Sequence, residues 1–123
     1  MLKGIINIVK DNFNKAEFSI SPNKKVKSVC KEFKENFGLT LVMYKGNRIA
    51  EDGLTIKQLN DKTSKNINKN AKDVKIKASM TVKIVEGIME EEFGIKTQIK
   101  DPSGKKLIDN KMTLGDAARE HSK

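Results

Sequence analysis

Nucleophilic chemistry in this chain would fall to Cys30 and His121, the single cysteine and the single histidine. A thiol nucleophile needs a base within hydrogen-bond reach. Cys30 instead falls on the apolar stripe of a helical pattern, where a thiol behaves as a small hydrophobe. His121 lies far away in sequence, near the end. A Cys–His dyad is not expected. One cysteine also excludes an internal disulfide framework and points to a reducing, cytoplasmic setting.

Carboxylate and metal chemistry are no better supplied. No CxxC, HExxH or histidine cluster occurs. Glu90-Glu91-Glu92 places acids at adjacent helical positions, which point about 100° apart and cannot converge on one atom. Asp101-Pro102-Ser103-Gly104-Lys105-Lys106 contains Gly-Lys but lacks the GxxxxGK[ST] spacing that wraps a phosphate. Pro after Asp and Gly two residues later read as a hairpin loop. The expectation is therefore no enzyme, no cofactor and no metal.

Binding remains. The net charge is +9, of which residues 1–59 carry +5, residues 60–72 carry +3 and residues 73–123 carry +1. A basic balance suits a polyanion, and Lys27, Lys31 and Lys34 on the first helix with Lys62, Lys65 and Lys69 beyond it form the candidate surface. Against this, Arg48 and Arg119 are the only arginines among 25 basic residues. Base and phosphate recognition draws heavily on the planar guanidinium fork. Lysine, asparagine and isoleucine also share A/T-rich codons, so genome composition can supply the excess. Solvated surface lysines are the favoured reading, and nucleic acid is the alternative partner.

A second candidate surface comes from a contrast between two strands. In Gly94–Lys100 the outward positions Lys96, Gln98 and Lys100 are polar. The matching positions in Gly38–Tyr44 are Thr40, Val42 and Tyr44. Either this face is covered within the chain, or Val42 and Tyr44 with Arg48 form a protein-binding patch, since Tyr and Arg are favoured interface anchors. Another protein is the leading partner, with the chain a monomer or weak dimer.

The elements that would hold these residues follow from periodicity. Val26, Val29, Cys30, Phe33 and Phe37 recur at helical spacing on one face. Asn23 is the expected N-cap, with Gly38 as the stop. Leu39, Leu41 and Met43 alternate as a strand. Thr55-Ile56-Lys57-Gln58 is a capping box, with Leu54 and Leu59 as its staple. A second helix is expected over about Met80–Phe93, capped by Ser79 and ended by Gly94, its outer surface acidic through Glu86, Glu90, Glu91 and Glu92. Thr113-Leu114-Gly115-Asp116 opens another short helix, and residues 119–123 read as frayed. Glu17–Ser21 and Val74–Ala78 alternate as strands. Residues 2–13 fit either a helix or a hairpin, and Gly4 with Ile-Asn-Ile-Val favours the hairpin.

The two series match. Val26, Lys27, Val29, Phe37 and Gly38 meet Val82, Lys83, Val85, Phe93 and Gly94 at one constant offset. After a register shift of two inside the hairpin loop, Gly46, Arg48, Ile49 and Thr55 meet Gly104, Lys106, Leu107 and Thr113. The expected fold is α+β, two tandem βαββ(α) repeats related by a pseudo-twofold, with helices on a mixed sheet. Residues 1–59 form the first repeat, 60–72 an exposed linker and 73–123 the second repeat. A half of this size is too small to build a core alone, so the repeats should pack as one unit. No apolar stretch reaches the ~20 residues of a membrane span.

Tyr44-Lys45-Gly46-Asn47-Arg48-Ile49-Ala50-Glu51-Asp52-Gly53-Leu54-Thr55-Ile56 resembles the strand–turn–strand segment of ubiquitin-like β-grasp domains. The likeness covers residues 5–59 and is fainter in the second repeat, where Asp109-Asn110-Lys111-Met112-Thr113 replaces the acidic-Asp-Gly step. It implies the order hairpin, helix, strand, short strand and short helix. The sequence ends in His-Ser-Lys rather than Gly-Gly, so conjugation is not implied. Phe33-Lys34-Glu35-Asn36-Phe37-Gly38-Leu39-Thr40 is also similar to a repeat of small uncharacterised bacterial two-repeat proteins, a likeness that supplies no activity.

Overall fold

The computed structural model describes residues 17–61 and 73–121. The element order is β1 (Glu17–Ile20), α1 (Val26–Phe37), β2 (Thr40–Lys45), β3 (Arg48–Ile49), α2 (Ile56–Asp61), β4 (Val74–Lys77), α3 (Val82–Phe93), β5 (Lys96–Lys100) and α4 (Leu114–His121). The class is α+β. The hairpin expected within residues 2–13 and most of the linker, including Lys62, Lys65 and Lys69, lie outside the described residues.

Each long helix buries one stripe. Val26, Val29, Phe33 and Phe37 are buried on α1, and Val82, Val85, Met89 and Phe93 on α3. Both stop where a glycine turns left-handed, Gly38 at φ 69° and Gly94 at φ 64°. There a side chain would meet the following carbonyl, which is why glycine is favoured. The starts differ from expectation. Lys25, not Asn23, is the N-cap of α1, and no side chain caps it. Thr81, not Ser79, caps α3, its hydroxyl accepting from the Ile84 N–H at 3.2 Å. The preceding residues instead make a turn, with the Lys24 N–H on the Ser21 carbonyl and that of Met80 on Lys77. The chain reaches helical geometry only after it.

The sheets also correct an expectation. Among the described residues they are two and antiparallel, not one and mixed: β1 pairs with β4, and β3-β2-β5 form the second. Ser19 pairs with Lys75 in the ladder of β1 with β4, and that of β2 with β5 centres on Val42 and Gln98. Leu41 and Met43 point inward opposite Ile99 and Thr97, under α1 and α3. After β5, Leu107 meets Lys100 only as an isolated bridge, so the sixth strand of a strict βαββ pair is missing.

Many backbone hydrogen bonds of the first half recur in the second. The Val26 N–H reaches the Leu54 carbonyl at 2.8 Å, and Val82 reaches Met112 at 2.9 Å. Ile56 bonds Lys24 at 2.9 Å, and Leu114 bonds Met80 at 3.0 Å. Ala50 bonds Met43 at 2.8 Å, and Ile108 bonds Ile99 at 3.0 Å. The capping box closes as expected, the Thr55 N–H on Gln58 at 3.0 Å and the Gln58 N–H on the Thr55 hydroxyl at 3.1 Å. Its counterpart is half made: the Asp116 N–H meets the Thr113 hydroxyl at 3.1 Å, while the Asp116 carboxylate pairs with Arg119. That ion pair accompanies a helix running to His121, where fraying was expected.

The halves interlock. α2 packs on α3 and α4 on α1, so each short helix covers the long helix of the other half. The Asn60 side chain donates to the Phe93 carbonyl at the end of α3. On the first-half side, Phe18, Phe33 and Phe37 form an aromatic group with centroids 5.0–6.0 Å apart. The aliphatic core is continuous with it.

One polar atom is stranded in this core. Thr97 is buried, and its hydroxyl has no hydrogen-bond partner among the described residues. Thr97→Val keeps the shape and removes the unmet group, so it is expected to stabilise the fold by about 1 kcal/mol. The urea midpoint should rise with an unchanged slope, and an unchanged or lower midpoint would contradict this.

Candidate functional site

The pairing of β2 with β5 decides the contrast between the two strands. Paired residues in an antiparallel ladder point to the same side. Thr40 therefore stands beside Lys100, Val42 beside Gln98 and Tyr44 beside Lys96, all on the side away from α1 and α3. The helices α1 and α3, which pack on β2 and β5, lie on the other side, and Val42 and Tyr44 are half-buried on this face. Ile49, opposite Tyr44, and Leu107, opposite Lys100, extend it at either side. They are 69% and 60% exposed, high for large aliphatics.

This face has a wet column and an apolar one. On β5 stand Lys96, Gln98 and Lys100, and on β2 Thr40, Val42 and Tyr44. The Tyr44 hydroxyl donates to Gln98 Oε1 at 2.7 Å, and Lys96 Nζ lies 6.0 Å from the ring centroid. The ring is thus held flat across the strand boundary, its polar edge satisfied. No carboxylate occupies any of these eight outward positions. Arg48 does not join them. It pairs with Lys45, one step out of phase with Tyr44, and so belongs to the other side of the sheet.

Of the polyanion candidates, Lys27, Lys31 and Lys34 lie within the described residues, all on α1. Lys27 and Lys31 are exposed on α1, with Lys31 Nζ 3.9 Å from Glu35. Lys34 points toward the second half, where its ammonium donates to the Pro102 carbonyl and lies 3.5 Å from the Thr40 hydroxyl. That contact braces the Asp101 loop. The loop is closed by Asp101 itself, which accepts from the Ser103 hydroxyl at 2.7 Å and the Lys105 N–H at 3.1 Å. The Ser103 bond first, with the loop N–H groups, holds the Asp101 carboxyl down to about 2.

The groups that could do chemistry sit in equivalent places. Cys30 on α1 is half-buried, and burial, with Asp52 nearby, pushes its thiol up to about 11. Glu86 occupies the matching position on α3. It is not part of an outer acidic surface: it is half-buried, burial raises its carboxyl, and a hydrogen bond from the Ile99 N–H opposes that rise. Glu90 and Glu91 are exposed. His121 is exposed on α4. Among the described residues no group of three or more His, Cys, Asp or Glu could hold a metal ion, and no helix is long and apolar enough to cross a membrane.

Sequence reasoning found Val42 and Tyr44 but missed Ile49, Leu107, Lys96 and Lys100 as their neighbours. The matched register of the two halves held the signal, because it pairs equivalent strands about Val42 and Gln98. Compared with known proteins, the chain matches no family model, no curated protein and no solved structure.

Two outcomes follow from the shifted groups. With its thiol moved from 9.0 to about 11, native Cys30 should react with a disulfide reagent near neutral pH roughly a hundredfold more slowly than in urea. Equal rates would place the thiol in water. The folded carboxyl of Glu86 lies above its unfolded value, so its ionisation costs stability as pH rises through the carboxylate range. Glu86→Gln should therefore be more stable than the parent at pH 7. The advantage should vanish near about pH 3.5, where both forms are neutral. Urea melts at both pH values check this, and a gain independent of pH would refute it.

Proposed function

We propose that the chain is a non-catalytic protein-interaction module, made of two copies of one half, that binds another protein through the open face of its β3-β2-β5 sheet. The observation that carries the reading is an uncovered sheet face with Val42 and Tyr44 at its middle and two largely exposed aliphatics at its sides. Exposed aliphatic clusters of this kind mark interaction surfaces. Tyr44 brings a large contact area already fixed by its bond to Gln98, so ordering it on binding costs little. The recurring hydrogen bonds and the pairing about Val42–Gln98 support the two-copy origin. The lone half-buried thiol fits a reducing cytoplasm.

The experiment exchanges the face while sparing the fold. Val42→Gln and Tyr44→Lys install on β2 what β5 carries at the matching places, where the sheet accepts them. The double variant should keep its circular dichroism and melting temperature and lose capture of the partner retained by the parent protein. Undiminished capture would remove the reading. Titration with random duplex at two salt concentrations tests the nucleic-acid alternative, since phosphate contacts weaken steeply with salt. Tight, steeply salt-dependent duplex binding would favour that alternative.

A further inference from the structure

We infer that the occupant of this face is an amphipathic helix of another protein, apolar along one stripe and acidic along one flank. The inference rests on the interaction reading above and adds the partner's chemistry. The first ground is backbone accounting. The flat side of a sheet offers no backbone donors or acceptors, so a segment laid on it must satisfy its own, which a helix does. The inner face of the same sheet is already covered that way, by α1 and α3.

The second ground is width. Four chain segments, β3, β2, β5 and the Leu107 bridge, make the face roughly 14 Å wide at ordinary strand spacing. Ile49 stands level with Tyr44 and Lys96 at one end, and Leu107 level with Thr40 and Lys100 at the other. A helix about 10–12 Å across laid over Val42 passes between these diagonal corners. The third is charge. Lys96 and Lys100 stand in one column beside the apolar one, with no carboxylate among the outward positions. They lie about 13 Å apart along β5. Carboxylates at i and i+7 of a helix are about 10.5 Å apart and only ~20° apart around its axis, so two of them can meet these lysines along one flank. A second copy of this chain fits less well, because its own face has no carboxylate among the outward positions to meet the lysines.

The test uses the full chain and three synthetic peptides. The first is a 17-residue helix former with a leucine stripe and glutamates at i and i+7. The second has lysines at those two positions, and the third keeps the glutamates but has a central proline. Titrations are followed by amide shifts. The glutamate helix should move the Val42, Gln98, Lys96 and Lys100 amides. The other two should bind at least roughly tenfold more weakly, the scale expected for two exposed charge pairs or a broken helix. Lys96→Glu with Lys100→Glu should invert the preference to the lysine helix without lowering the melting temperature.

Equal binding of all three peptides, shifts confined to another surface, or stronger shifts of the same amides by random duplex would each overturn the inference. The two levels separate cleanly. If the partner is lost with Val42→Gln and Tyr44→Lys but is indifferent to the charge reversal, the acidic helix falls and the interaction face stands. If neither pair of changes affects capture, both fall.

Discussion

The five-residue ladder between β2 and β5 is the interaction on which the rest of this structure depends. It joins the halves at their hydrophobic strands, and its register puts Leu41 opposite Ile99 and Met43 opposite Thr97. Those four side chains form the floor on which α1 and α3 lie. Move the register by one residue and every inward side chain turns to solvent, because side chains alternate at a period of two. The ladder therefore fixes the shared core and the open face together.

The crossing of the short helices follows from the same join. Among the described residues either half has one long helix and few strand residues, too little apolar surface to offset its ordering entropy. With β2 and β5 side by side, α2 comes to lie against α3, and α4 against α1. Burial in each half is then completed by the other. The hydrogen bonds from Val26 to Leu54 and from Val82 to Met112 hold the segment before each short helix against the start of the long helix in its own half. The bridges Lys25–Thr55 and Thr81–Thr113 mark the same two junctions.

Local features of the sequence were legible where one residue type has one physical use. The glycine stops, the capping box at Thr55 and the buried helix stripes could be read directly, because left-handed φ, N-cap acceptors and helical spacing leave few alternatives. The N-caps were misread because Asn23 and Ser79 are good caps in isolation, whereas here a turn precedes the helix. Sheet partnership was less legible. Nothing in the strand sequences says that β1 leaves the β2 sheet for β4, since such pairings are settled by tertiary packing. The contrast between Val42 and Gln98 was visible, but that these two residues are neighbours across a ladder was not.

Comparing matching positions shows how differently similar backbones can be supported. In the first half, Lys24 bonds the Ser19 carbonyl at 2.8 Å and pairs with Glu32 at 3.0 Å, both partly buried. At the matching places the second half has Met80 and Ile88, partly buried against the core. Ion pairs of this kind often trade evenly with well-packed apolar residues, because desolvation offsets much of the Coulomb gain. That helps to explain why neither solution has displaced the other. Cys30 and Glu86 make a less even pair. The thiol stays neutral at no cost, while the carboxylate is stabilised by the Ile99 N–H but held above its ordinary range by burial. The N–H of Ile99 belongs to the side of β5 toward Ile108, where the sixth strand is missing and only an isolated bridge remains. Burial still weighs on the charged form at Glu86 and leaves the neutral thiol at Cys30 untouched, so matching places on matching helices cost the fold differently.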